Sequence, residues 1–227
     1  MTTVSDPTTA DPASRARVAA RKGLFELQRD TDGWRIARVS FLGEPVTMLL
    51  PPDASDGKSR MLAALNLGHF GVKLHRSEDA GATWAEVAAP TYPPQPPEAT
   101  GFAWKLVLVL VLVQVQVQVQ VQVQVQVWAL QANADAVGAG TIPSGVFPSI
   151  DFGSSWQLVD ALWQWPERAE LFGGGYPEPG IHSICPHPQH PQELLVGLRC
   201  GGAWVTRDEG ANWQVQTTGS RADFMPR

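Results

Sequence analysis

Five side chains of this 227-residue sequence could together bind and act on a polar ligand: His69, Tyr176, Glu178, His182 and Arg199. Glu178 supplies a carboxyl group that can give or take a proton, and histidine titrates near neutral pH. Tyr176 offers a phenol, and Arg199 offers a planar cation that pairs with anionic groups. The sequence predicts Glu178, His182 and Tyr176 as candidate catalytic residues, and His69 and Arg199 as candidate ligand-binding residues.

A structural role competes with three of these assignments. His69 and His182 could be buried, hydrogen-bonded histidines that hold loops. Arg199 could clamp a carboxylate or a carbonyl group rather than a ligand. The Gly173-Gly174-Gly175 stretch follows no strand-to-helix pattern of the phosphate-loop kind, so we interpret it as a flexible loop.

The elements that must position these residues are marked by an octet that recurs three times, with the form Ser/Thr-x-Asp-x-Gly-x-Thr/Ser/Asn-Trp. Its Asp is expected to bond nearby backbone N–H groups, and its Gly to adopt a backbone angle that other residues avoid. Each octet therefore predicts a turn between two strands, with the Trp ring buried after it. The octet residues are assigned a structural role: Ser77, Asp79, Gly81 and Trp84; Ser149, Asp151, Gly153 and Trp156; Thr206, Asp208, Gly210 and Trp213.

The octets divide the chain into repeating units. Counting a shortened fourth copy at 29–34, the Trp residues that end successive copies lie 50, 72 and 57 positions apart. A period near 50 is typical of one supersecondary unit per repeat. The last unit is predicted to hold four strands, at 181–185, 193–198, 203–207 and 213–217. Four-stranded units predict an all-β propeller with three clear blades and a degenerate one, which we expect to be incomplete. In that fold the loops opposite the octets share one face, where the five candidates could converge.

The octets resemble the Asp-box, or BNR, repeats of sialidases and related propellers. Gly68–Ser77 and Pro179–Ile184 are also similar to a bacterial family of sialidase-like, glycosyl-hydrolase-like BNR/YVTN-type propeller proteins. The resemblance covers about residues 18–227 and implies a propeller that binds a ligand or partner through its funnel face. The alternative it implies is a glycoside hydrolase acting on a carbohydrate. The Phe/Tyr-Arg-Ile-Pro motif of sialidases is not matched, because Trp34-Arg35-Ile36-Ala37 lacks the proline and is expected to be a strand.

One tract does not fit the repeats. Residues 106–127 alternate Leu-Val and then Val-Gln, with no charge and no turn residue. Removing these 22 residues from the 72-residue spacing restores an interval of 50. We interpret the tract as a low-complexity insertion, arising from repeat expansion or from an error in the sequence, with a functional element as the third alternative. Its β-propensity and glutamine ladder favour self-association or aggregation.

Composition excludes several function classes. A net charge of −5 gives no reason to expect nucleic acid as a partner. The uncharged apolar run at 106–113 is too short to span a bilayer as a helix. Two cysteines cannot form a disulfide framework or a four-thiolate zinc site. We expect no cofactor, no metal, no membrane partner, a small polar ligand such as a carbohydrate, and a cytoplasmic location in the absence of a secretory signal.

Domain boundaries follow from the same patterns. We expect a disordered arm over residues 1–15, followed by propeller blades at 16–227 that form part of a longer chain. Cys185 and Cys200 fall on predicted adjacent strands, so they could lie near each other, and the expected cytoplasmic location favours reduced, packed thiols.

Overall fold

The computed structural model describes residues 14–52, 59–93, 126–133, 136–171, 178–216 and 218. The chain divides into two compact units, Met1–Ala85 and Glu86–Arg227. The structure is almost entirely β, and its strands form four antiparallel sheets, which confirms the all-β prediction. Most of the N-terminal arm, residues 106–125 of the alternating tract, and Tyr176 lie outside the described residues.

Every sheet joins strands in their chain order. The first sheet holds β1 (Arg15–Ala20), β2 (Gly23–Asp30) and β3 (Gly33–Ser40), and the second holds β4 (Val46–Leu50), β5 (Met61–Asn66), β6 (Val72–Ser77) and β7 (Ala85–Val87). The third sheet holds β8 (Gln126–Asn133), β9 (Ala136–Ile142) and β10 (Val146–Ser149). The fourth holds β11 (Ile181–Pro186), β12 (Leu194–Leu198), β13 (Gly202–Thr206) and β14 (Gln214–Val215). A short helix, α1 (Asp160–Trp163), follows the third sheet.

The sheets pack face to face within each unit. In the first unit, Leu24 of β2 contacts a core formed with Val46, Ala63 and Leu65 of the second sheet. In the second unit, Ile181 and Ile184 of β11 pack against the third sheet, where a Cβ on Gly140 would lie 2.6 Å from Ile181 Cγ2. Glycine in β9 therefore makes room for isoleucine in the next sheet, which lets the two sheets approach closely.

The four strands predicted for the last unit are present in the fourth sheet, with boundaries that differ by at most one residue except in β14. Here β14 ends at Val215, two residues before the predicted end, and residue 217 is outside the described part. The buried inner row of this sheet joins Ile184, Val196 and Trp204, which are directly paired across β11, β12 and β13. Apolar residues alternate along these strands with a period of two, which is why the strands can be predicted from the sequence.

The three octets form the same turn. Asp79 Oδ1 accepts hydrogen bonds from Thr83 N at 2.8 Å and Ser77 Oγ at 2.7 Å, while Oδ2 accepts one from Thr83 Oγ1 at 2.7 Å. Gly81 N donates to Ser77 Oγ at 2.8 Å, and its φ of 89° lies in the left-handed region. The same contacts recur around Asp151 and Asp208. Each octet thus satisfies its own backbone N–H groups.

The shortened copy at 29–34 has a different geometry. Asp30 and Gly33 pair directly, so β2 and β3 are joined by a two-residue hairpin. Asp30 accepts bonds from the backbone N–H of Asp32 and from the Arg35 side chain. Trp34 remains 50% exposed, in contrast to the burial expected of an octet Trp. A two-residue turn leaves no space for the longer octet loop, so the first sheet lacks this element.

The octet carboxylates should make the free energy of unfolding depend on pH in the acid range. Hydrogen bonds from Thr83 lower the pKa of Asp79 from 3.8 to about 2, those from Ser155 lower the pKa of Asp151 to about 2, and those from Asn212 lower the pKa of Asp208. A depressed folded-state pKa contributes stability that is present above pH 4 and lost as pH falls towards 2. We expect the midpoint of urea unfolding, monitored by Trp fluorescence, to fall over this pH range.

The variant Asp79→Asn/Asp151→Asn/Asp208→Asn should show a smaller fall in the urea midpoint between pH 4 and pH 2. Asp32→Asn is the matched control, because Asp32 is an exposed turn aspartate outside the octets. An unchanged acid dependence in the triple variant would contradict the assigned role of the octet carboxylates.

Candidate functional site

The two ends of the fourth sheet differ in structure. Strand register pairs Leu194 with Thr206 at the end that carries the octet, and Leu198 with Gly202 at the opposite end. The third sheet has the same arrangement, with Ser149 at its octet end and the Ile142–Gly145 connection at the other. We call the ends opposite the octets, formed by residues 142–145, 178–180 and 199–201, the loop end of the second unit.

A backbone hydrogen bond joins two connections at the loop end. Arg199 N donates to Gly180 O at 2.9 Å. Glu178 and His182 each lie two residues from Gly180 in the sequence. The structure therefore brings three of the predicted residues, Glu178, His182 and Arg199, to the same end of the fourth sheet.

A buried tyrosine anchors the neighbouring connection. Tyr92 Oη donates to Pro143 O at 2.7 Å and lies 2.6 Å from Thr141 Oγ1. Its ring centre lies 4.4 Å from that of Trp163. A Cβ on Gly145 would collide with the Tyr92 hydroxyl, so glycine at this position makes room for the ring. Burial raises the pKa of Tyr92, because the charged phenolate would lose its hydration.

A buried cation lies next to this tyrosine. Arg168 is 8% exposed; its Nε donates to Trp163 O at 2.6 Å, and its guanidinium carbon lies 3.7 Å from the centre of the Trp163 ring. Burial lowers the pKa of Arg168, while electrostatic interactions with Tyr92 and Glu178 oppose that effect. Glu178 is itself only 9% exposed. Tyr92, Arg168 and Glu178 therefore form an electrostatically coupled, buried cluster at the loop end.

The predicted site residues differ in their access to solvent. His182 is exposed, its Nδ1 lies 2.7 Å from Ser183 Oγ, and its ring covers Gly197 of the adjacent strand. The alternative that His182 is a buried histidine is therefore wrong, and the reason is a bulge between Ile181 and Ser183 that breaks the alternation of β11. Arg199 is partly buried.

Two predicted residues are not part of this arrangement. His69 lies in the short 3₁₀ turn Gly68–Phe70 of the first unit. Tyr176 lies outside the described residues. The loop end of the second unit, as described, therefore contains Glu178, His182 and Arg199 from the original set of five.

The two cysteines are free and exposed, at opposite ends of the fourth sheet. Cys185 pairs with Leu195 one position from the octet end, while Cys200 lies in the turn between β12 and β13 at the loop end. The expectation of packed thiols is wrong, because both side chains are exposed. The two cysteines also lie far apart along the sheet, because adjacency of strands does not place residues at the same height along them.

Sequence reasoning missed Tyr92, Trp163 and Arg168. Tyr92 lies 49 residues before Thr141 in the chain, and no motif connects the two positions. The one available signal was scarcity, since the chain has two tyrosines. Arg168 and Trp163 lie in short helical turns that carry no octet and no repeat signature.

Two further features are absent from the described residues. No three His, Cys, Asp or Glu side chains there come together in a way that could hold a metal ion. No helix in the described part of the chain is long and apolar enough to cross a membrane.

Comparison with known proteins gives matches among solved structures. No family model matches the sequence, and no curated protein matches it. An ancestral GH74 enzyme aligns over 91% of this chain with a TM-score of 0.54 and 16% identity. The GH74 xyloglucanase from Xanthomonas campestris aligns over 88% with a TM-score of 0.51 and 16% identity. YCF48 from Cyanidioschyzon merolae aligns over 92% of this chain and 83% of its own length, with a TM-score of 0.37 and 10% identity.

The GH74 likeness and the four antiparallel sheets show a β-propeller fold, as the repeats predict. The alignments cover 23% and 26% of the two GH74 chains, so this chain spans about a quarter of their length. At 16% identity the likeness shows the fold alone.

Loss of the Tyr92 hydroxyl should destabilise the fold. Tyr92→Phe leaves buried groups at Thr141 and Pro143 with one partner fewer, which costs about 1–3 kcal/mol in free energy of unfolding. Urea denaturation monitored by Trp fluorescence measures this loss in the free energy of unfolding. Thr91→Val is the control, because Thr91 is exposed and its hydroxyl bonds only the neighbouring Ala89 O among the contacts described. Equal stability of Tyr92→Phe and the parent would contradict the anchoring role.

Proposed function

We propose that this chain is a sialidase-like, BNR-repeat β-propeller protein that binds a small polar ligand, a carbohydrate, through the loop end of its second unit. One observation carries the proposal: the Arg199 N–Gly180 O bond joins two backbone segments at one end of the fourth sheet. These segments carry the accessible side chain of His182 and the partly buried side chain of Arg199. The three identical octet turns support the BNR-repeat assignment.

The chemistry of these two side chains suits a polar ligand. Arg199 provides a fork of N–H donors for hydroxyl or carboxylate oxygens. His182 can donate or accept through Nε2, since its Nδ1 is engaged with Ser183. The buried cluster of Tyr92, Arg168 and Glu178 does not contact the ligand in this proposal; Tyr92 anchors the neighbouring connection through its hydrogen bond to Pro143 O.

Hydrolysis is the second candidate function, supported by the buried Glu178 carboxyl group and by the GH74 neighbours, which are glycoside hydrolases. Glycosidases pair two carboxyl groups, about 5–5.5 Å apart in retaining enzymes and about 6.5–9.5 Å apart in inverting ones. Within residues 142–145, 178–182 and 199–201, Glu178 is the one Asp or Glu. The described loop end therefore supports binding better than catalysis.

Binding can be measured by calorimetry with a panel of xyloglucan, cellulose and sialylated oligosaccharides. Arg199→Ala or His182→Ala should weaken binding of a panel member about tenfold or more, the effect of losing one charge-assisted hydrogen bond. Arg207→Ala and His190→Ala are matched controls, because these exposed residues lie at the octet end of the same sheet. Equal losses in the controls, or no binding to any member, would contradict the proposal.

Turnover separates the two candidate functions. Release of new reducing ends from the same panel, abolished by Glu178→Gln at unchanged affinity, would establish hydrolysis and overturn the binding-only assignment. Binding without release of reducing ends is the result that we expect.

Cys200 offers an independent test of ligand position. A bound oligosaccharide should slow alkylation of Cys200 by iodoacetamide and leave Cys185 unaffected, since the two exposed thiols lie at opposite ends of the fourth sheet. Mass spectrometry of the two cysteine peptides gives both rates in one sample. Protection of Cys185 instead would place the ligand at the octet end.

A further inference from the structure

A small cavity lies between the first two sheets, beside the first octet turn. Its volume is about 10 Å³, which is room for one water-sized group. Five residues supply the polar atoms of its lining: Arg17, Glu26, Arg38, Ser40 and Trp84. All five belong to the first unit, whereas the residues proposed to bind a carbohydrate belong to the second. The cavity is therefore a separate site.

Strand register explains why charged side chains line this cavity. Arg17, Glu26 and Arg38 are directly paired across β1, β2 and β3. Side chains two residues apart on a strand point to the same face of a sheet. The row therefore shares a face with Leu24 and Ser40, and this is the face of the first sheet that packs against the second.

Positive charge exceeds negative charge in the row. Arg17 Nε and Nη2 both contact one oxygen, Glu26 Oε2, at 3.2 and 3.1 Å. Arg38 Nη1 donates to Ala80 O at 3.3 Å, and among the described residues Arg38 has no ion-pair partner. Burial lowers the pKa of Arg17, and the like charges of Arg15 and Arg38 act in the same direction. Added negative charge would therefore be stabilised in the cavity.

The octet turn beside the cavity does not need this arginine for its own packing. A Cβ on Gly81 of the first octet would lie 3.7 Å from Arg38 Nη1. In the third octet the equivalent Gly210 faces Val159, at 3.2 Å by the same measure. The two turns make the same internal hydrogen bonds, so an apolar neighbour is sufficient for an octet. This comparison favours a binding role for Arg38 over a structural one.

Hydrogen-bond donors in the lining suit an oxyanion. Arg17 and Arg38 each carry a guanidinium group, whose planar N–H groups match the geometry of carboxylate and phosphate oxygens. Ser40 Oγ accepts a hydrogen bond from Trp84 Nε1 at 3.2 Å, so its own hydrogen can point to another acceptor.

We propose that this cavity binds one oxygen of an oxyanion group, a carboxylate or a phosphate, through Arg38 and Arg17. One oxygen fills the cavity, and the rest of the group remains in solvent beside the exposed Arg38 side chain. Glu26 competes with the anion for Arg17, because its carboxylate already occupies two of the guanidinium N–H groups.

The indole N–H signal of Trp84 in ¹H–¹⁵N NMR spectra of the full chain reports on the cavity, because Trp84 Nε1 is bonded to Ser40 in its lining. Comparison with Trp84→Phe assigns the signal. Phosphate, acetate and chloride are titrated in parallel at matched ionic strength and constant pH. Phosphate, acetate or both should shift the signal saturably, and the one that binds more tightly identifies the anion class.

Two variants with opposite expected effects test the assigned residues. Arg38→Gln should weaken oxyanion binding about tenfold or more, the effect of losing one charge-assisted hydrogen bond. Arg35→Gln is the matched control, because it removes the same charge from an exposed arginine of the same strand, which pairs with Asp30. Glu26→Gln should tighten binding about threefold or more, because it removes the competing negative charge.

Several results would overturn the proposal. They are a Trp84 signal that neither oxyanion shifts, equal affinity for chloride, equal losses in Arg38→Gln and Arg35→Gln, or weaker binding in Glu26→Gln at an unchanged urea midpoint. Damage to the fold can only weaken binding, so tighter binding in Glu26→Gln distinguishes a real site from a structural effect. Failure to bind carbohydrate at the loop end has no bearing on this outcome, since the two sites share no residue.

Discussion

The turn centred on an aspartate is the constraint on which the rest of this structure depends. Each octet carboxylate accepts bonds from the backbone and from a side chain four residues later, while its glycine adopts a left-handed angle. Such a turn satisfies its polar groups locally and needs no distant partner. It therefore holds the connection at one end of a sheet independently of the residues at the other end, so the loop end can carry the residues proposed to bind a ligand.

The loop end of the second unit is held by different means. A buried tyrosine, a cation stacked on Trp163 and a buried carboxyl group couple connections that are far apart in the chain. Desolvated polar groups of this kind stabilise a fold only when they have partners. Rigid support beneath accessible side chains is what a binding site requires, because a ligand then meets groups that are already ordered.

The sequence alone predicted the features that depend on residues close together in the chain. The octets and the strands of the fourth sheet follow from local hydrogen bonding and from period-2 alternation, so their residues could be read directly. Bulges interrupt that alternation: one at His182, between Ile181 and Ser183, exposes the His182 side chain, and one at Ala37 of β3 shifts which residues of that strand share a face. Contacts between distant segments, such as Tyr92 with Thr141, carry no local pattern, and neither does the position of Cys185 relative to Cys200 along adjacent strands.

The bond between Tyr92 and Thr141 has a consequence in polymer terms. It closes a loop of 49 residues, within which the alternating tract lies. In the unfolded chain the entropy lost on bringing two positions together grows only with the logarithm of their separation in the sequence, so doubling that separation costs about 0.6 kcal/mol. The free energy of bringing Tyr92 to Thr141 therefore depends only weakly on the number of residues between them in the sequence. A repeat that lengthens or shortens there meets little thermodynamic resistance from the fold.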